Sequence, residues 1–231
     1  MTKVIKYFFQ SMVVYLLFLV GRILGLTISR KLFAALFVFL GPILKSNKIA
    51  KKNLKIIDHK ISNDEMKKII EKMWKNYGIT FIEYVYLKYF RKNNSYLSVK
   101  DEGNLTQIIK EKKPVIFVSG HFANFELMSM EISKKGIPLA TVYRPLNNFF
   151  LNPFMEYLRK KYICKNQIKK GINGVRETVE YLKKNYSIAL MIDQRVSEGV
   201  RINFFNKLAL TTTLPAQLSM KFNLDIIPVS I

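Results

Sequence analysis

The chain has 231 residues, of which 49% are hydrophobic, enough for one domain of ordinary size with a sizeable core. Its 38 basic residues, 30 Lys and 8 Arg, give a formal net charge of +22. Arg makes most bidentate contacts to phosphates and bases, so this Lys-rich chain without a reading motif does not favour a nucleic-acid-binding protein. A single cysteine, Cys164, excludes an intrachain disulfide, and two His without a CxxC pattern speak against a zinc site.

The first 44 residues are the most apolar part of the chain. Residues 7–21 carry no charge, and after Arg22 the apolar stretch continues to residue 29. A helix needs about 20 mostly apolar residues to cross a bilayer, so residues 7–29 predict a membrane-anchoring helix, with a buried core helix as the alternative. Residues 32–44 are too short to span and predict an interfacial or buried helix. No small-x-small cleavage site follows, which does not favour a signal peptide.

A run of lysines follows the apolar segment. Residues 1–60 contain eleven Lys or Arg and one acidic residue, Asp58. Basic clusters beside a membrane segment favour the cytoplasmic face and anionic headgroups, and the alternative is a solvated helix face. The charge of the whole chain fits compositional drift toward Lys, and it also fits attraction to anionic lipid or to an acidic carrier protein.

The rest of the chain alternates between helical and strand patterns. A long helix is predicted from residue 64 to 90, beginning at the capping-box spacing of Ser62 and Glu65. Strands are predicted at 95–101, 114–120, 139–144, 187–193 and 225–231, and shorter helices at 104–113, 122–135, 149–162, 174–185 and 212–222. This alternation predicts an α/β fold with a mainly parallel sheet flanked by helices. We expect an anchor with an interfacial helix at 1–44 and one domain at 45–231, truncated at its C-terminus because the sequence stops inside a strand.

The segment GHFANFE, residues 120–126, carries the strongest chemical signal. His121 follows a buried strand, at the edge of the sheet where ligands bind in open α/β folds. Glu126 lies five residues later, about 140° around one ideal helix, so the two side chains meet only if His121 precedes the helix. Gly120 permits such a turn. Glu126 would then hold one ring nitrogen and leave the other as a base. The alternative is a hydrogen-bonded core histidine beside an exposed helix charge.

Four ordered blocks resemble one family. GHFANFEL resembles the GHFGNWEL-like signature of the bacterial lipid A biosynthesis late acyltransferases (lauroyl/myristoyl-type), within the lysophospholipid acyltransferase group and its H-x4-D/E motif. TVYRPLNNFF, GINGVRETVEYLKKN and LMIDQRVSEGVRINFF continue the match. Ala123 and Asn206 stand where the family usually has Gly; we expect Ala123 to have an ordinary helical backbone. The resemblance implies transfer of an acyl chain from acyl carrier protein to a hydroxyl of a lipid A precursor, at the bacterial inner membrane.

If the chain is an acyltransferase of this kind, His121 would be the general base and Glu126 the carboxylate that orients it. Arg144 ends a strand and could donate to the oxyanion or to a substrate phosphate, or form a structural salt bridge. Asp193 ends another strand and could pair with Arg144 or control water. Asn124 could donate to the intermediate or cap the following helix. Gln194, in the DQ segment, is predicted to contact substrate.

Other functions have less support. The sequence contains neither a P-loop nor a GxGxxG motif, so it does not predict a nucleotide-binding site, and we expect no cofactor. The sequence also lacks the GxSxG motif of serine hydrolases, so it does not predict that class of enzyme. A basic nucleic-acid-binding protein is an alternative that depends on charge alone. A catalytically inactive membrane scaffold is a third reading, against which the presence of His121 and Glu126 counts. Within the acyltransferases, the acceptor could be another glycolipid or a lysophospholipid.

Overall fold

The computed structural model describes residues 2–100, 102–197 and 199–231. The contacts within the chain divide it into two compact units. The first unit comprises the chain up to Ser11, Leu87–Asn203 and Leu208–Ile231, and it contains the main sheet. The second unit comprises Met12–Tyr86 and Phe204–Lys207.

The helices and strands alternate after a helical N-terminal third. The α-helices are α1 (Lys3–Leu24), α2 (Leu26–Leu40), α3 (Lys45–Ile57), α4 (Asn63–Glu83), α5 (Leu87–Lys92), α6 (Glu102–Glu111), α7 (Glu126–Lys134), α8 (Asn152–Leu158), α9 (Ile172–Lys183) and α10 (Leu214–Phe222). The strands are β1 (Ile116–Ser119), β2 (Leu139–Tyr143), β3 (Asn166–Lys169), β4 (Ser187–Met191), β5 (Val200–Phe204), β6 (Lys207–Thr211) and β7 (Ile226–Pro228).

Five strands form a parallel sheet in the order β3-β2-β4-β1-β7. All four residues of β1 are buried, as expected for a parallel strand that is covered on both faces and therefore apolar throughout. Ile116, Ala140, Ile168 and Ile188 form one core cluster with Leu218 from α10. The predicted α/β fold with a mainly parallel sheet is confirmed, and the strands predicted at 114–120, 139–144, 187–193 and 225–231 all belong to it.

Some predicted elements differ from the observed ones. Residues 95–100, all described, contain no strand; a 3₁₀ turn at Asn94–Tyr96 occupies part of them, and Asp101 lies outside the described residues. The helix predicted at 149–162 is α8 followed by a π-helical turn, Arg159–Ile163. Strand β3 and the separate β5–β6 hairpin were not predicted. Asn206 has φ 57° in the hairpin turn, a conformation that Asn tolerates well, which explains why it can replace Gly there.

The second unit packs α2 closely against α4. Gly78 in α4 lies so near the carbonyl of Phe33 in α2 that a Cβ there would overlap it. The Ser29 hydroxyl donates to the carbonyl of Gly21 at 2.6 Å, and Arg30 Nε donates to the buried carboxylate of Glu83 at 2.7 Å. The predicted start of the long helix is confirmed, because Ser62 Oγ accepts from the Glu65 N–H at 3.1 Å.

The apolar N-terminal segment was predicted as a helix over 7–29 and a shorter one over 32–44. The structure places the boundary between the two helices earlier, at residue 25. Gly25, with φ 77°, separates α1 from α2. Arg30, which follows the helix predicted over 7–29, lies inside α2, where Glu83 pairs with its charge. By length and composition, Lys3–Leu24 and Leu26–Ile43 are both long and apolar enough to cross a membrane.

Candidate active site

The parallel register of two neighbouring strands brings His121 and Asp193 together. Ser119, the last residue of β1, is paired with Met191, the last residue of β4. His121 and Asp193 each follow their strand by two residues, so they leave the same edge of the sheet at the same level. The expected position of His121 at the carboxyl edge of the strands is confirmed.

Two hydrogen bonds join this pair. Asp193 Oδ1 lies 2.7 Å from His121 Nδ1, and Asp193 Oδ2 accepts the main-chain N–H of His121 at 2.8 Å. An ionised carboxylate only accepts hydrogen bonds, so it selects the tautomer with the proton on Nδ1. The other ring nitrogen, Nε2, is then free of its proton and has the lone pair that a base requires.

The His121 bonds also affect the charge of Asp193. Burial raises the pKa of the Asp193 carboxyl, but the hydrogen bonds from the His121 N–H and ring, with their Coulomb attraction, outweigh burial and hold the pKa below its ordinary value. The carboxyl is therefore ionised at neutral pH. The sequence left open a pair with Arg144 or control of water for Asp193, and it did not predict this contact with His121.

Two side chains contact the imidazole besides Asp193. The Phe125 ring meets it edge-on, with centroids 4.5 Å apart, and limits its rotation. Gln194 Nε2 lies 3.3 Å from His121 Nε2, within reach of donating to its lone pair. Gln194 also lines the cavity beside the ring, and its predicted contact with substrate stays a prediction.

A cavity of about 390 Å³ opens beside this pair. His121, Gln194 and Arg144 line it, together with apolar side chains that include Leu190 and Ile163. Its volume lies within the usual range for a small-molecule site, roughly 300–1,000 Å³. Arg144 is exposed at the end of β2, where its guanidinium can reach a ligand in the cavity.

Glu126, which was predicted to hold one ring nitrogen of His121, is paired with a guanidinium, and Asp193 bonds His121 Nδ1. It is the first residue of α7 and is buried; its Oε1 accepts from Arg159 Nε at 2.7 Å and lies 2.6 Å from Arg159 Nη2. Both residues line the cavity. The physical reason is strand order: β4 lies beside β1, so the carboxylate of Asp193 reaches Nδ1 from the neighbouring strand.

The turn from β1 to α7 depends on two small residues. A Cβ at Gly120 would lie 3.3 Å from Asp193 Oδ2 and closer still to the Phe122 ring, so Gly120 provides space for the carboxylate. The left-handed residue of this turn is Ala123, with φ 39°. The prediction of an ordinary helical backbone at Ala123 is wrong, because α7 begins only at Glu126.

Asn124 lies in the same turn and is buried. Its carbonyl accepts the N–H of Leu127, while the N-cap position of α7 belongs to Phe125, which makes no side-chain cap. The position of Asn124 is therefore that of a buried turn residue, one position before the cap.

Arg159 and Tyr143 line the cavity, and neither was predicted from the sequence as a site residue. Arg159 lies in the run RKKY, where nothing distinguishes one basic residue from its neighbours, and only the structure shows that it is buried against Glu126. Tyr143, the last residue of β2, donates to Glu156 Oε1 at 2.6 Å. Burial and this bond raise the pKa of Tyr143 well above its ordinary value, so its hydroxyl is a donor and not a base.

Comparison with known proteins gives the chain a family. None of the proteins with curated functions matches it. One family model, described as bacterial lipid A biosynthesis acyltransferase, matches residues 2–231. That match includes β1, β4 and the turn that holds His121. The chain therefore belongs to the bacterial lipid A biosynthesis acyltransferase family.

Proposed function

We propose that this protein transfers a fatty acyl chain from a thioester on acyl carrier protein to a hydroxyl of a lipid A precursor, with His121 as the general base. The observation that carries the proposal is the bond from Asp193 Oδ1 to His121 Nδ1, which directs the unprotonated Nε2 to the cavity side of the ring. Family membership supports the acyl transfer and the lipid substrate.

The proposed reaction proceeds in two steps. The acceptor hydroxyl displaces Gln194 from His121 Nε2, gives its proton to that nitrogen and attacks the thioester carbonyl through oxygen. The tetrahedral oxyanion then collapses, the carbon–sulfur bond breaks, and the thiolate takes the proton from the imidazolium. The products are an ester and a free thiol. Asp193 stabilises the imidazolium while it exists, because its charge lies 2.7 Å from Nδ1.

Arg144 is proposed to bind the negative charge that the reaction develops or brings. It lines the cavity with His121, and its planar fork can donate two parallel hydrogen bonds to the oxyanion or to a phosphate of the acceptor. Arg144→Lys keeps the charge and loses the fork. A fall in kcat/KM in the folded Arg144→Lys protein supports directed hydrogen bonding, and wild-type kcat/KM would leave Arg144 without that role.

The donor is proposed to be acyl carrier protein because the resemblance to the late acyltransferases implies it, and the net charge of +22 would attract an acidic carrier. Electrostatic attraction weakens with salt, so KM for an acyl carrier protein donor should rise with ionic strength. A small acyl thioester without the carrier's acidic surface is the control, and its KM should change little. A salt-independent KM for the carrier would contradict the electrostatic part of the proposal.

We propose that the N-terminal helices hold the protein at the inner membrane with the sheet on the cytoplasmic face. Support comes from the two apolar helices and from the lysines of α3 that follow them. The protein should pellet with membranes and resist extraction by high salt, while detergent should release it. Release by salt alone would show that lysines rather than apolar helices hold it there.

The decisive test replaces the proposed base. His121→Ala should abolish acyl transfer in a protein whose circular dichroism spectrum is unchanged. His59→Ala is a matched control, because His59 is the other histidine of the chain and lies exposed in a turn between α3 and α4. A folded His121→Ala protein with wild-type activity would refute the mechanism.

The acceptor requires a separate measurement. Mass spectrometry of lipid A from the host, with and without the full-length gene, should show one ester-linked acyl chain gained. An unchanged lipid A together with an acylated lysophospholipid or other glycolipid would assign the same chemistry to another acceptor.

A further inference from the structure

The second unit contains a cavity of about 910 Å³ that the chemistry at His121 does not use. The lining comes from α3, from α4 and from the end of α2 with the turn that follows it. Its volume lies near the upper end of the range for ligand pockets, roughly 300–1,000 Å³. A cavity of this size between helices has room for a ligand, and the side chains that line it indicate the class of ligand.

One part of the lining is apolar. Met66, Ile70 and Trp74 follow one another at helical spacing along α4, and all three are at least 94% buried. Trp74 Nε1 donates to Asn47 Oδ1 of α3 at 3.1 Å, and Asn47 is itself buried. This bond joins α3 to α4 beside the cavity and holds the edge of the indole in an apolar part of the lining, suited to a hydrocarbon chain.

The rest of the lining is cationic. Lys51, Lys52 and Lys55 of α3 and Lys67 of α4 line the cavity, against one acidic residue, Glu71. Within residues 2–100, 102–197 and 199–231, none of these four lysines has a carboxylate within 4.0 Å. α3 has five lysines and no acidic residue, and like charges at i and i+4, as in Lys51 and Lys55, destabilise a helix. An anion bound between them would relieve that repulsion.

We propose that this cavity binds one anionic membrane phospholipid, with an acyl chain against Trp74 and the phosphate among the lysines of α3. Charge complementarity favours this occupant over a zwitterionic lipid, and the apolar lining favours it over a free inorganic anion. The proposal does not depend on acyl transfer at His121.

Trp74 provides the measurement, because it is the only tryptophan of the chain. Bromine on an acyl chain quenches indole fluorescence only at short range. The intact protein is reconstituted in nanodiscs of unlabelled phosphatidylcholine, and brominated phosphatidylglycerol or brominated phosphatidylcholine is titrated in. Brominated phosphatidylglycerol should quench Trp74 and saturate at a low mole fraction, and unlabelled phosphatidylglycerol should restore the fluorescence. Equal quenching by both brominated lipids, or no recovery, would overturn the proposal.

Two charge-matched variants separate the cavity from the membrane surface. Lys51→Gln/Lys55→Gln removes two lining lysines, and the mole fraction for half-quenching should rise on the order of 10- to 30-fold. Lys45→Gln/Lys48→Gln removes the same charge from the same helix, outside the lining, and should have a much smaller effect. Equal shifts would show general attraction to an anionic surface and overturn the proposal. Half-quenching by a brominated free fatty acid at a lower mole fraction than by brominated phosphatidylglycerol would also overturn the proposal.

Discussion

Asp193 holds His121 at two atoms, with Oδ1 2.7 Å from ring Nδ1 and Oδ2 bonded to the main-chain N–H at 2.8 Å. A carboxylate with one contact could rotate with the ring. Here the backbone bond fixes the carboxylate, and the fixed carboxylate then fixes the ring. The pair therefore sets both the tautomer and the orientation of the imidazole before a substrate arrives.

Replacing Asp193 should impair catalysis more than folding. Asp193→Asn keeps the shape, but the neutral amide cannot stabilise an imidazolium and presents a donor to one of two groups that need an acceptor. We expect kcat to fall by about 10²–10⁴-fold. Asp225→Asn is the control, since Asp225 is an exposed acid with a distant partner, Lys113, 4.0 Å away. Initial rates at saturating donor measure both. Wild-type kcat in folded Asp193→Asn would contradict the role of Asp193.

The same carboxylate predicts a pH dependence of stability. The pKa of Asp193 is lowered in the folded chain, so the unfolded chain binds more protons at pH values near it. The stabilisation that the Asp193 carboxylate gives the fold is complete above the pKa of the carboxyl in the unfolded chain, about 3.9. It is lost as the pH falls through the lower pKa of the carboxyl in the folded chain. The difference in thermal unfolding temperature between wild type and Asp193→Asn should therefore shrink as the pH drops below about 4. A difference independent of pH would contradict this assignment.

The Glu126–Arg159 pair predicts strong coupling between two substitutions. Both side chains are about nine-tenths buried, so removing one charge leaves the other without its ionic partner. Glu126→Leu and Arg159→Met should each destabilise the protein by about 3–5 kcal/mol. The double variant should lose much less than the sum, because it leaves neither charge buried. Unfolding free energies in denaturant measure the cycle, and additive losses would argue against the pair.

Ala123 predicts a stabilising substitution at the reaction centre. With φ 39° it lies in the left-handed region, which costs an L residue roughly 1–2 kcal/mol. Ala123→Gly removes that cost and adds backbone entropy to the unfolded chain, for a net gain of about 0.5–1 kcal/mol. Ala216→Gly in the first turn of α10 is the control of opposite sign, since Gly at a helical position destabilises relative to Ala, by at most about 1 kcal/mol. Loss of stability in Ala123→Gly would contradict the strained turn.

The sequence predicted those strands that are both apolar and β-branched. Strand β1 is buried throughout and β4 is buried except at its last residue, and this burial leaves a continuous hydrophobic signal. Strand β3, with the sequence NQIK, is an edge strand with one buried residue, and its polar composition hides it. The described part of the strand predicted at 95–101, residues 95–100, shows the reverse: its sequence alternates, but it pairs with no strand among the described residues.

The sequence was sufficient to predict which site residues follow the end of each strand, but not which of them contact one another. His121 and Asp193 were both placed at the carboxyl edge, because each follows an apolar run. Their contact was not predictable, since it requires β4 to lie beside β1, and strand order is decided by packing of the whole sheet. Glu126 was assigned to His121 on sequence proximity, and the structure pairs it with a guanidinium that is 33 residues away.

Parallel pairing of β1 with β4 also has a consequence during synthesis. His121 and Asp193 are 72 residues apart, and a ribosome adds about 5–20 residues per second, so roughly 4–14 s separate the two residues in translation. During that interval the apolar N-terminal helices are already made, while the histidine has no carboxylate from β4. The His–Asp pair therefore cannot form until β4 has been synthesised and joins the sheet, well after the N-terminal helices have been made.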